Sequence, residues 1–140
     1  MNTTQGIVIF GISAIIIRKI LLWILTAILF LFFVNASYRK FSGNPITVGH
    51  FNDWGYSHGL LITIATLEII GAVLLLIPVT ATSGAVLLAL IMTGASYTLL
   101  QHHVYSTSVI TMATLLILLF FGYCRWEQSW VVALFTMNGK

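Results

Sequence analysis

From Gly59 to Val79 the chain reads GLLITIATLEIIGAVLLLIPV, an apolar stretch broken by one charged side chain, Glu68. A helix needs about 20 residues of this kind to cross the hydrocarbon core of a bilayer. Three comparable stretches accompany it. Residues 20–38 begin ILLWILTAILFLFFV and stop before Arg39 and Lys40; residues 84–101 run to Gln101, with His102 and His103 after it; residues 109–124 stop before Arg125. Within lipid, backbone N–H and C=O groups must be bonded inside the protein, and segments of this length achieve that as helices. The fold expected is all-α: a polytopic membrane protein, with a four-transmembrane-helix bundle as its single domain over residues 1–140.

Charge content agrees. Charged residues make up 6% of the chain and hydrophobic ones 59%, against about 25% charged in a soluble domain. So few charges cannot cover a water-facing surface, and the lipid bilayer becomes the principal partner. Six basic side chains stand against three acidic ones. They are scattered, which excludes a nucleic-acid patch. Cys124 is the single cysteine, so neither an intrachain disulfide nor a Cys-x-x-Cys relay can form. No spacing of the H-E-x-x-H kind suggests a metal.

Two further apolar pieces flank the spans. Residues 7–17 have no cation before them and Arg18-Lys19 behind them, which does not read as a cleavable signal. This piece could extend the first helix, lie in the interface or pack on a neighbour. Residues 126–137, with Trp126 and Trp130, read as an interfacial segment. Between Phe41 and His58, Gly43, Asn44, Pro45, Gly49, Asn52, Asp53 and Gly55 alternate with Phe51, Trp54 and Tyr56. Turn formers mixed with aromatics suit a loop folded back over the bundle at headgroup level. With four spans, Arg18, Lys19, Arg125 and Lys140 share one side and Arg39 and Lys40 the other. The excess places both termini in the cytoplasm of a multi-pass protein of the cell membrane.

This topology collects the polar side chains at the opposite end: Asn35, Arg39, Lys40, His50, Asp53, His58, Gln101, His102 and His103, with Ser96 nearby in the third span. Glu68 lies below them, about 13 Å into the membrane at 1.5 Å per residue. An acid there costs on the order of 3 kcal/mol, which makes it a candidate functional group. Glu68, His58 and His103 are the catalytic candidates; Asn35, Arg39, Ser96 and His102 are candidates for holding a cofactor. The alternative is structural: a lone acid can anchor a bundle through a neighbouring hydroxyl, amide or arginine. His102 and His103 point about 100° apart on a helix and cannot share one ligand. A bis-His haem joining His58 to either is geometrically allowed but has no other support.

Four short motifs resemble the DoxX-like family of small four-helix membrane proteins. The first span ends Asn35-Ala-Ser-Tyr-Arg-Lys-Phe-Ser-Gly43; the loop contains Trp54-Gly55-Tyr56 without the proline common after it; the second span carries Leu67-Glu68-Ile-Ile-Gly71-Ala72 and closes on Leu76-Ile77-Pro78. The third ends Leu100-Gln101-His102-His103, where Val104-Tyr105-Ser106 replace the family's Gly-Asp. The similarity spans Arg18 to Arg125. It implies a four-helix bundle. Relatives include subunits linked to thiosulfate–quinone oxidoreduction, components of membrane redox-stress complexes and a receptor chaperone, so no single activity is implied.

Three roles follow. An accessory subunit of a quinone-linked redox system would bind quinone, or dock a partner that does, with Glu68 or a histidine handling protons. A non-catalytic assembly or scaffold protein would use small-residue faces, such as Gly94-Ala95-Ser96, to pack on a membrane partner or a second copy. An embedded enzyme or carrier for a small apolar molecule would use Glu68 with His58 or His103. Whether the chain is itself an enzyme stays open at this level.

Overall fold

The computed structural model describes residues 3–126. Among the described residues there are five helices and no strand: α1 (Thr3–Phe41), α2 (Pro45–Asp53), α3 (His58–Leu76), α4 (Ala81–Gln101) and α5 (Tyr105–Arg125). α1, α3, α4 and α5 are each long and apolar enough to cross a membrane. The protein is a helical membrane bundle. α3 packs between α1 and α4, and α4 packs on α5. Residues 127–137 of the expected interfacial segment, and Lys140, lie outside the described residues.

Local chemistry sets the boundaries. Ile77 precedes Pro78, whose ring disfavours helical backbone in the residue before it. Ile77 is accordingly extended (φ −94°, ψ 113°) and α3 stops at Leu76, short of the end of its apolar run. Thr80 Oγ1 then donates to the Leu74 carbonyl at 3.1 Å. Between α4 and α5 the turn is closed by Val104 N–H to the Leu99 carbonyl at 2.9 Å, with His103 in the left-handed region at φ 58°.

The segment between Phe41 and His58, expected as a loop, contains a helix. Asn44 Oδ1 accepts from the N–H groups of Ile46 (3.1 Å) and Thr47 (3.4 Å). Pro45 occupies the first helical position, where its missing N–H costs nothing. The result is α2, seated against α3 and the end of α1.

α1 is one continuous helix, so the 7–17 piece is its N-terminal part. Its buried positions form a single stripe, Leu22, Thr26, Leu29, Phe33 and Ser37. Residues before Leu22 contribute nothing to the core: Phe10 is 77% exposed and Leu21 60%. At 1.5 Å per residue α1 is about 58 Å long, roughly twice the hydrocarbon thickness.

Lipid tails are as apolar as leucine, so helices associate in a bilayer through close packing. The closest approach lies between α3 and α4. A Cβ on Gly84 would stand 2.8 Å from the Gly71 carbonyl oxygen and 3.1 Å from the Leu75 nitrogen; one on Gly71 would meet Leu88 Cγ at 2.6 Å. Gly94 takes no part in this contact: it is exposed and has nothing within 4 Å of its Cβ position.

Candidate functional site

Helical phase brings three polar side chains together where α1 meets α3. Ser37 and Lys40 are three residues apart and share the face that continues the Phe33 stripe. On α3, Leu61, Ala65, Glu68, Ala72 and Leu75 make one buried face. The small Ala65 and Ala72 leave room on either side of the carboxylate. Glu68 is 1% exposed. Lys40 Nζ donates to both of its oxygens, at 2.8 Å to Oε1 and 2.7 Å to Oε2. Ser37 Oγ donates to Oε2 at 3.2 Å.

This arrangement satisfies a buried charge with an opposite charge and a hydroxyl, the condition for tolerating it in a low-dielectric interior. The Lys40 side chain keeps 13% of its surface exposed, while its ammonium turns in to the carboxylate. Chemically the site is a closed ion pair. Its carboxylate already accepts three hydrogen bonds.

The other sequence candidates lie elsewhere. Arg39 and Asn35 are exposed on α1, off the Glu68 face; the cation that meets Glu68 is Lys40, which was not among the site candidates. Ser96 is buried on α4, and its hydroxyl has no partner among the described residues. His58 is exposed at the start of α3. His103 is exposed in the α4–α5 turn, its Nδ1 2.8 Å from the Tyr105 hydroxyl. His102 stacks on Trp54, with ring centroids 5.1 Å apart and 17° between planes. His50 stacks on the same indole at 5.4 Å and 19°, and the Tyr56 hydroxyl meets Thr98 Oγ1 at 3.1 Å. These contacts tie α2 to α4, so His102 works in the structure as a packing residue of this cap. Among the described residues no three His, Cys, Asp or Glu side chains come together.

A second polar cluster, missed in the sequence, sits at the far end of the bundle. Arg125 is buried. Its guanidinium lies 5.5 Å from the ring centroids of both Trp23 and Phe121, and Nη2 donates to Thr26 Oγ1 at 3.3 Å. Arg18 Nη2 reaches the Cys124 carbonyl at 3.2 Å. In the sequence Arg125 enters only as a topology cation; the signal available was Trp23 and Thr26, three apart on the first span.

The DoxX-like family model matches residues 24–122. The chain belongs to the DoxX-like family. The matched region takes in most of the bundle and both partners of the Lys40–Glu68 pair, and leaves out the first part of α1. No curated protein and no solved structure matches the chain.

A quinone, the group associated with some relatives of this DoxX-like protein, does not fit the Glu68 site. Its polar atoms are bonded to one another, with none directed at a ligand. The apolar groove of about 450 Å³ lined by Phe10, Leu25 and Phe120 begins roughly 18 Å away, the rise from Leu25 to Ser37 along α1.

Proposed function

We propose that this DoxX-like protein is an accessory subunit of a quinone-linked membrane redox system, and that it holds a partner in the bilayer while the partner carries the quinone. The supporting observation is the closure of Glu68 by Lys40 and Ser37. An acid that exchanges protons with a substrate needs an approach path and a lone pair to spare; this one is 1% exposed, and three of its roughly four lone-pair sites are already taken. The enzyme and carrier readings lose their acid, while the assembly reading gains a device that fixes α1 against α3. The quinone link itself rests on family resemblance.

The same proposal has the protein in the cell membrane with both termini in the cytoplasm, and the distribution of cations supports it. Arg18, Lys19 and Arg125 gather at one end, and at the other Lys40 is withdrawn into an ion pair, leaving Arg39 as the exposed cation of that pair. A reporter enzyme fused to the C-terminus should be active only on the cytoplasmic side; activity outside reverses the orientation.

Purification from native membranes in mild detergent tests the role. The expected result is a copurifying redox protein, with quinone travelling with that partner and lost when it is stripped away. Quinone retained by the isolated chain, and lost in a folded Glu68→Gln variant, overturns the proposal.

A further inference from the structure

One indole ties α2 to α4, and two imidazoles lie against it. Trp54 is the C-cap residue of α2. His50, from the last turn of the same helix, stacks on it with ring centroids 5.4 Å apart and 19° between planes. His102, the C-cap residue of α4, stacks on it at 5.1 Å and 17°. Phe51 packs beside the indole at 6.0 Å and beside Tyr56 at 5.9 Å. Both histidines are exposed. Neither ring has a hydrogen bond or an ion pair among the described residues.

We propose that this stack is a pH-sensitive clamp: protonation of His50 and His102 tightens α2 onto α4, and loss of the protons slackens it. Histidine is the side chain that changes charge between about pH 5 and pH 8. Two features of the geometry act on the charged ring. A cation over an indole face is attracted by the ring quadrupole, which adds to what a neutral ring gains by stacking. Each imidazole also sits at a helix C-terminus, where the last carbonyls favour positive charge: His50 at the end of α2 and His102 at the end of α4. The contact therefore strengthens as the rings gain protons and weakens as pH rises.

The other charged and titratable groups at this end are accounted for. Lys40 on α1 is held by Glu68 of α3. His103, after α4, meets the Tyr105 hydroxyl of α5 at 2.8 Å, and the Tyr56 hydroxyl meets Thr98 at 3.1 Å. Arg39 on α1, Asp53 on α2, His58 on α3 and Tyr97 on α4 are exposed, and exposed charges are screened by salt. The same screening limits repulsion between the two imidazoliums. On the orientation proposed above the cap lies outside the cytoplasm, so acid on that side closes it.

Hydrogen exchange of the purified protein in detergent tests the clamp. It is read as protection factors, which remove the intrinsic pH dependence of exchange. Between about pH 8 and about pH 5, protection of residues 45–53 should rise by about two- to fivefold for each histidine and stay level in α3 and α4. His50→Phe and His102→Phe keep a flat ring on the indole that cannot take a proton. Each should remove part of the rise, and the double variant all of it, with protection in α3 and α4 showing that the variants fold. Equal protection of residues 45–53 at both pH values in the wild type overturns the proposal, as does a rise that survives in the double variant. Lower protection in acid means that the charged rings leave the indole for water, and overturns it too. None of these readouts depends on the orientation or on a redox partner.

Discussion

Lys40 reaches across from α1 to grip both carboxylate oxygens of Glu68 on α3, at 2.8 and 2.7 Å. Removing one member of a buried pair leaves the other charge uncompensated, at a cost of about 3 kcal/mol or more, whereas replacing both by apolar groups can be nearly neutral. Glu68→Gln and Lys40→Met should each lower the melting temperature in detergent, with Glu68→Gln still folding. The double variant Lys40→Met/Glu68→Met should recover most of the loss. Additive losses in the double variant would show that the pair does not act as a unit.

Gly84→Ala should destabilise the bundle by about 1–3 kcal/mol, the cost of overpacking a tight contact. The added methyl meets backbone atoms of α3, which cannot move without separating the helices. Gly71→Ala meets the Leu88 side chain instead, so Gly71→Ala/Leu88→Ala should be milder than the two single losses combined. Gly94→Ala serves as the silent control. Size-exclusion profiles and thermal melts of these variants, Leu88→Ala among them, decide it.

His103→Gly should leave stability unchanged or raise it by up to about 1 kcal/mol, because a left-handed backbone strains a residue with a Cβ and suits glycine. The hydrogen bond to Tyr105 is exposed and adds little. A folded His103→Gly protein that loses its partner or activity would instead give this histidine a functional role.

Trp54→Leu removes the indole between His50 and His102, and with it the main tie between α2 and α4. Aromatic pairs contribute about 0.5–1.5 kcal/mol beyond their buried area. The helices of the bundle should persist, while α2 loosens locally. Hydrogen exchange should quicken in residues 45–53 and stay unchanged in α3 and α4; uniform acceleration would mean that α2 is integral to the bundle.

Hydropathy alone was enough to read the bundle, because in lipid the backbone has few alternatives. Glu68 announced itself by its cost, and the small residues one turn away, Ala65, Gly71 and Ala72, give that face room to pack closely. Its partner was also legible in principle: Phe33, Ser37 and Lys40 fall on one helical face, whereas Arg39 is turned about 100° away. α2 was hidden by composition, since its glycine and asparagines suggested a loop, although Asn44-Pro45 is a helix-start signal. The glycines show the limit of sequence. Gly71, Gly84 and Gly94 look alike along the chain, and only the crossing of α3 over α4 separates the two that touch from the one that does not. The Arg125 cluster joins side chains about a hundred residues apart, which no local pattern reveals.

The Lys40–Glu68 pair also bears on how the protein enters its membrane. As the ribosome delivers the chain, α1 emerges well before α3, and Glu68 then arrives as an isolated acid that disfavours insertion by on the order of 3 kcal/mol. With α1 already in place, its ammonium and the Ser37 hydroxyl wait at the right depth. The acid can pass into lipid alongside them, so the second span's entry depends on the first span's presence. Synthesised without α1, α3 should therefore cross the bilayer less efficiently than its otherwise apolar sequence suggests, and the order of synthesis becomes part of how this bundle is built.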